Sequence, residues 1–169
     1  MVKGRGFFSS ILCSRARELV RRLSVLNTTV AAAESCTAGL AAALIARIPG
    51  ASRVLWGSFV TYTPEAKIRM LGVGEECLRQ NGAVSMETAC AMARLALERS
   101  NAGYAFSITG LAGPGGDGKM PAGTVWIATV RKGEEPEAVL FRFRGSRNQI
   151  RLRAAEKALE LLLRKLPDE

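Results

Sequence analysis

Histidine is missing from this 169-residue sequence, and its absence removes several classes of active site. Without an imidazole there is no Ser-His-Asp or Cys-His catalytic pair, no histidine metal ligand and no histidine proton shuttle. A general base must then be a lysine, tyrosine, aspartate, glutamate or water molecule. The four cysteines contain no C-x-x-C pair, which argues against structural zinc and a redox motif. We therefore expect reduced thiols in a cytoplasmic protein, with no metal and no cofactor.

Long apolar runs are also missing, since none approaches the roughly 20 residues that cross a bilayer. We therefore expect no membrane contact. The basic start of the chain has an apolar patch that Ser9 and Ser10 interrupt, which disfavours a secretory signal. An organelle presequence is an alternative to the interpretation that we favour, a first amphipathic helix with three leucines inward: Leu12, Leu19 and Leu23.

Acidic residues are outnumbered, giving a formal net charge of +9, and the basic excess lies toward the two ends of the chain. A basic face could contact nucleic-acid phosphates. No basic run exceeds two residues and no aromatic residues are interleaved, so we do not expect a nucleic-acid partner. The surface should instead attract small anionic metabolites.

Apolar periodicity predicts an α/β fold with three α/β/α layers. The last two strands read as a hairpin, which makes the sheet mixed, with about five or six strands. We expect one domain over residues 1–169, with residues 1–8 as a candidate disordered segment. The predicted helices cover 9–26, 38–47, 64–71, 75–81, 85–99 and 146–166, and the predicted strands cover 28–33, 54–62, 104–109, 123–131 and 138–144.

The first polar cluster follows the first strand, where ligands gather in sheets of this kind. Ser35 and Cys36 are adjacent candidate nucleophiles, and the N–H groups of the following helix could hold an oxyanion or anion. The alternative is that Ser35 or Thr37 only caps the helix while Cys36 packs.

The second polar cluster supplies a candidate base. A partly desolvated Lys67 could accept the proton of a serine in place of histidine. Tyr62, at the end of the second strand, could relay a proton or hold a carbonyl, or simply pack there. Glu34 could orient Lys67, accept hydrogen bonds from a substrate or form a supporting ion pair.

The third cluster is a glycine-dense loop that partly matches the phosphate-binding G-x-x-x-x-G-K pattern. Met120 replaces the required Ser or Thr, and Pro121 with a strand follows instead of a helix, so we reject a nucleotide-triphosphate site. Backbone N–H groups at Gly110 and Gly113 could still bind a phosphate or carbonyl, beside the hydroxyl of Thr109. The alternative is a surface loop.

Four segments resemble the C-terminal domain family of competence-damage-inducible protein A (CinA). They occur in the family's order, and the resemblance covers about residues 10–165. The four segments are AESCTAG at 33–39, GSFVTYTPEAKIRMLGV at 57–73, NGAVS at 81–85 and ITGLAGPGGDGKMPAGTV at 108–125. The resemblance implies hydrolysis of the carboxamide of nicotinamide mononucleotide to nicotinic acid mononucleotide and ammonia, without metal. It implies Ser35 as nucleophile, Lys67 as base and Tyr62 as assistant.

Other roles come from the mechanism that the resemblance implies. Backbone N–H groups near Cys36 and Thr37 would hold the oxyanion, and Arg147 would contact the ligand phosphate. Three positions depart from the family pattern: Ala38 replaces the first of two glycines, Ala122 replaces a valine, and Ser146 replaces an acidic residue. The competing hypothesis is a non-catalytic, competence- or DNA-associated binding module, and in either case we expect a homo-oligomer.

Overall fold

The structure is a computed structural model that describes residues 10–168. The predicted disorder of residues 1–8 and the inward-facing side chain of Leu12 lie outside what it describes. Leu19 and Leu23, which were predicted on the same helix face, are fully buried.

Five strands and six α-helices form the described part of the chain. The strands are β1 (Val30–Glu34), β2 (Leu55–Val60), β3 (Tyr104–Gly110), β4 (Thr124–Arg131) and β5 (Glu137–Arg142). The helices are α1 (Ser10–Val25), α2 (Leu40–Ala46), α3 (Pro64–Ala66), α4 (Glu75–Asn81), α5 (Met86–Ser100) and α6 (Arg147–Lys165). A 3-10 turn (Ala51–Arg53) precedes β2, and a π-helical turn (Lys67–Leu71) continues α3.

The sheet has the strand order β2-β1-β3-β4-β5. β1 runs parallel to β2 and β3, whereas β4 is antiparallel to both β3 and β5. This confirms the predicted mixed sheet and its terminal hairpin. The chain leaves β1 toward β2 on one side of the sheet, and it leaves β3 toward β4 on the other side. The strand order therefore reverses between the carboxyl ends of β1 and β3, which is where ligands bind in open α/β sheets.

Helices cover both faces of the sheet, as the three-layer prediction requires. α1, α2 and α6 pack on one face with Val30 and Ala32 of β1, and α5 packs on the other with Ala31 and Ala33. All five residues of β1 are buried, and their small side chains let helices approach closely from both sides.

Two predicted helices differ from the structure, one in where it begins and one in its hydrogen-bond pattern. The helix expected from Ala38 begins at Leu40, because Ala38 and Gly39 take left-handed φ values of 50° and 87°. The helix expected over 64–71 becomes a π-helical turn at Lys67, where Gly72 N–H reaches back to the Lys67 carbonyl. Such turns are frequent at functional sites. Thr63 caps the start of α3, because its side chain accepts a hydrogen bond from Ala66 N–H at 3.1 Å.

Candidate active site

The carboxyl ends of the three parallel strands bring the predicted polar clusters together. Ser35, directly after β1, donates its N–H to the Ile108 carbonyl of β3 at 2.9 Å. Thr61, directly after β2, donates its N–H to the Glu34 carbonyl at 2.8 Å. The first residue after β1 is thereby fixed between the two neighbouring strands.

Ser35 and Lys67 meet directly, although they lie in different elements. Lys67 Nζ lies 2.9 Å from Ser35 Oγ and 3.0 Å from the carbonyl oxygen of Thr61. Ser35 Oγ also donates to the Tyr62 carbonyl at 3.4 Å. Ser35 is 6% exposed and Lys67 only 1%, so the amine lies behind the hydroxyl and away from bulk water.

Burial shifts the pKa values of Lys67 and Cys36 in this site. Desolvation lowers the pKa of Lys67 from its ordinary 10.5 to about 8. Among the described residues, no carboxylate forms an ion pair with Lys67 to oppose that effect. Desolvation also raises the pKa of the Cys36 thiol to about 11. Lys67 is therefore neutral in a useful fraction near neutral pH, while Cys36 stays a protonated thiol.

The turn after β1 leaves two backbone donors available. Ala38 N–H closes the turn onto the Ser35 carbonyl at 3.0 Å. Cys36 and Thr37 occupy its two central positions, and within residues 10–168 their N–H groups donate to no acceptor. These are the two groups that the sequence analysis assigned to an oxyanion. That assignment remains a prediction, and it requires two free donors such as these.

A cavity of about 290 Å³ opens in front of Ser35. The glycine-dense loop forms one wall from Gly110 to Gly116, and Tyr62 and Arg147 stand at its rim. Gly110 cannot carry a side chain, since a Cβ there would lie 2.6 Å from the Thr124 carbonyl oxygen. Glycine at this position therefore lets the start of the loop pack directly against β4.

Arg147 joins the rim of the cavity to the loop. Its guanidinium donates to the phenol oxygen of Tyr62 at 2.6 Å and to the carbonyl of Gly113. It is also the first residue of α6, whose N-terminus Ser146 caps in a reciprocal pair with Gln149. The serine that departs from the family pattern therefore still serves as a helix cap.

Three predicted binding residues do not line this cavity. Both carboxylate oxygens of the fully buried Glu34 accept backbone N–H groups of α2, from Ala41 at 3.1 Å and Ala42 at 2.9 Å. The Thr109 hydroxyl donates to the Ala83 carbonyl at 2.6 Å. Thr37 is fully buried, which leaves only its backbone for a role. The expectation that Glu34 orients Lys67 is corrected, because the nearby helix N-terminus engages the carboxylate instead.

Tyr62 also differs from its expected use. Its phenol contacts Arg147 at the rim, whereas its backbone carbonyl is the atom that contacts Ser35. The side chain is about half exposed, at 49%. It is placed to contact a molecule in the cavity rather than to connect Ser35 with Lys67.

Sequence reasoning missed Arg151, one helical turn after Arg147 on α6. Its Nε donates to the Cys36 carbonyl at 3.2 Å and its terminal nitrogen to the Thr37 carbonyl at 2.9 Å. The i, i+4 spacing from Arg147 places both arginines on one helix face, which was the available signal.

No helix in the described part of the chain is long and apolar enough to cross a membrane. Across residues 10–168, histidine, cysteine and acidic side chains do not gather in groups of three as a metal site would need. The cytoplasmic location and the homo-oligomer stay predictions.

Comparisons with known proteins agree with the four motifs. The sequence model of the CinA C-terminal domain matches residues 13–166. A CinA-like protein of Endomicrobium trichonymphae is 47% identical over 162 residues, covering 95% of this chain but 37% of its own length. This chain thus spans little more than a third of that relative. The name of this relative states no enzymatic activity.

Solved structures give the same result at the level of the fold. A competence/damage inducible protein from Agrobacterium tumefaciens has a TM-score of 0.90 at 42% identity, covering 93% of this chain and 96% of that one. A CinA superfamily protein from Escherichia coli has a TM-score of 0.89 at 32% identity, covering 94% of both chains. The family model, the identities and the fold agree: this chain belongs to the CinA C-terminal domain family.

Proposed function

We propose that this chain is an amidohydrolase that converts nicotinamide mononucleotide into nicotinic acid mononucleotide and ammonia, with Ser35 as nucleophile and Lys67 as base. The observation that carries the proposal is the 2.9 Å contact between Ser35 Oγ and a buried lysine amine that has no carboxylate partner among the described residues. A serine hydroxyl needs an adjacent base to become nucleophilic, and this is the group in contact.

In the first half of the reaction, neutral Lys67 takes the Ser35 hydroxyl proton as Oγ attacks the carboxamide carbon. The carbonyl oxygen becomes an oxyanion, which the free N–H groups of Cys36 and Thr37 stabilise. The C–N bond then breaks, and the Lys67 ammonium returns the proton to the departing nitrogen. Ammonia leaves, and the acyl group remains as an ester on Ser35.

In the second half, water attacks the ester carbon and gives a proton to Lys67. The C–O bond to Ser35 breaks and Oγ recovers that proton. The net change is addition of one water molecule to the amide, giving a carboxylic acid and ammonia. Each half uses Lys67 once as base and once as acid, so the lysine ends in its starting state.

The rim of the cavity suits the ribose phosphate of the same substrate. Arg147 carries a charge that phosphate attracts, and it stands at the N-terminus of a 19-residue helix. The phosphate would compete with the present Tyr62 and Gly113 partners of Arg147. Tyr62 would then be free to contact the pyridine ring or the ribose.

The direct test is to incubate the purified protein with nicotinamide mononucleotide and EDTA, and to measure ammonia and the product acid. We expect release by the wild type and none above background by Ser35→Ala. Ser24→Ala is the matched control, since in the part of the chain that the structure describes that hydroxyl donates only to the Val20 carbonyl within α1. Hydroxylamine should divert the acyl group into a hydroxamate. Undiminished release by Ser35→Ala would refute the mechanism.

A second candidate function is nucleic-acid binding without catalysis. Five arginines fall between residues 142 and 153, and none forms an ion pair with a described residue. When arginines neutralise DNA phosphates, the DNA releases its condensed counterions, and this release would make binding strongly salt-dependent. Duplex DNA binding that persists at physiological salt, and that Arg144→Ala with Arg153→Ala weakens, would favour this function. Binding that disappears at that salt would reflect charge alone.

A further inference from the structure

Arg151 is the only described side chain that bonds the carbonyls of the turn after Ser35. It reaches the turn from α6, more than a hundred residues away in sequence, and its guanidinium contacts the Cys36 and Thr37 carbonyls at 3.2 and 2.9 Å. A planar guanidinium holds two acceptors in a fixed relative position, which a lysine ammonium does not.

Peptide planarity connects these carbonyls to the donors of the site. The Cys36 carbonyl and the Thr37 N–H belong to one peptide unit and, in the trans form, point in opposite directions. A cation bonded to that carbonyl therefore fixes where the N–H points and polarises it as a donor. The preceding unit is held in the same way, since the Ser35 carbonyl accepts Ala38 N–H and leaves Cys36 N–H free.

The turn needs such support because its sequence is unfavourable for its shape. Ala38 is a non-glycine residue at a φ of 50°, a conformation that costs alanine about 1 kcal/mol. Ala38 also follows directly on the Thr37 carbonyl that Arg151 binds. The arginine thus holds a backbone segment that would otherwise relax.

We propose that Arg151 is a positioning residue that aligns and polarises the Thr37 N–H as an oxyanion donor; the inference rests on the proposed function of Ser35. It acts through the backbone and contacts no substrate. Its loss should therefore slow the chemical step while leaving substrate affinity nearly unchanged, since the oxyanion exists only after attack.

The test compares Arg151→Met with Arg153→Met in two assays. Arg153 lies on the same helix and is exposed, and its only side-chain hydrogen bond to a described residue is to the Arg144 carbonyl, so it controls for the loss of one arginine. The first assay measures kcat and KM for ammonia release. The second measures how fast a fluorophosphonate labels Ser35. Oγ gives its proton to Lys67 and bonds to phosphorus, fluoride leaves, and the phosphoryl oxygen takes the place of the oxyanion.

We expect Arg151→Met to lower both kcat and the labelling rate about tenfold to a hundredfold, with KM changed less than about threefold. Methylguanidinium added to Arg151→Ala should restore part of the labelling. Arg151→Lys keeps the charge but loses the planar fork that reaches both carbonyls, so its rates should fall between those of Arg151→Met and the wild type. It carries the test if Arg151→Met melts well below the wild type. Equal rates in Arg151→Met and Arg153→Met, or a loss confined to KM, would overturn the inference.

The two assays separate this inference from the proposed substrate. A wild type that is labelled at Ser35 but releases no ammonia would refute the substrate, and the labelling rates would still decide the role of Arg151. A wild type that is not labelled at Ser35 and releases no ammonia would refute both Ser35 as the nucleophile and the inferred role of Arg151.

Discussion

Replacing Lys67 with methionine should make the protein more stable at neutral pH while abolishing its proposed activity. Lys67 is 1% exposed and has two neutral hydrogen-bond partners, the Ser35 hydroxyl and the Thr61 carbonyl. Burying a cation without a counter-charge is costly. Methionine keeps most of the side-chain volume and removes the charge.

The size of the effect follows from the pKa of Lys67, which burial lowers from 10.5 to about 8. At pH 7 the folded protein must hold a proton that the unfolded chain binds more tightly, which costs about 3 kcal/mol at 1.36 kcal/mol per pKa unit. Losing two hydrogen bonds costs roughly 2 kcal/mol. The net expectation is a gain of about 1 kcal/mol for Lys67→Met.

The sign of this difference should reverse with pH. Between about 8 and 10.5 the unfolded chain keeps the proton while the folded protein has lost it, so wild-type stability rises with pH across that window. At pH 10 less than about 1 kcal/mol of the penalty remains, and the lost hydrogen bonds then leave the variant about 1 kcal/mol less stable.

Urea unfolding at pH 7 and pH 10 measures both values. The matched control is Lys132→Met, because the Lys132 side chain is exposed and, among the described residues, bonds only the Asn101 amide oxygen. Its difference from the wild type should stay nearly constant between the two pH values. If the Lys67→Met difference is constant too, the amine is not desolvated in the folded protein, and the argument for it as a base fails.

Three further outcomes are expected. The kcat/KM for ammonia release should rise with pH and level off above about 8, because only neutral Lys67 can take the serine proton; a flat profile between pH 6 and 9 would exclude it. Arg147→Met should raise KM for the mononucleotide about tenfold or more, with little change in KM for the nucleoside that lacks the phosphate. Ala38→Gly should keep activity and leave the melting temperature unchanged or raised, because glycine takes a φ of 50° without strain; a clear loss of stability would show that the turn has no strain to relieve.

Topology explains why sequence reasoning could predict that Ser35 and Lys67 meet. Both follow strands that run parallel, and parallel neighbours end at the same edge of the sheet. The absence of histidine then left lysine as the strongest base in reach. What the sequence could not supply is the π-helical turn at Lys67, because its hydrogen-bond pattern carries no distinct residue signature.

The roles of Glu34 and Arg151 show where such reasoning ends. A carboxylate at a strand end can face a lysine or the N-terminus of the next helix, and the α2 N–H groups were already beside Glu34 in space. Arg151 approaches from the last helix of the chain, so its contact depends on how α6 packs. Periodicity predicts which face of a helix is buried, but not which loop its polar end reaches.

Burial of Lys67 both destabilises the folded protein and lowers the pKa of the amine, and the two effects have the same cause. A salt bridge to Glu34 would recover much of the folding penalty, but it would also raise the pKa of Lys67 and keep the amine protonated. The structure avoids this, because the N-terminus of α2 engages both oxygens of Glu34. A change that releases the Glu34 carboxylate from α2 should therefore alter the rate of the proposed reaction through its effect on the pKa of Lys67. In a protein without histidine, the instability at Lys67 would supply the proposed base near neutral pH.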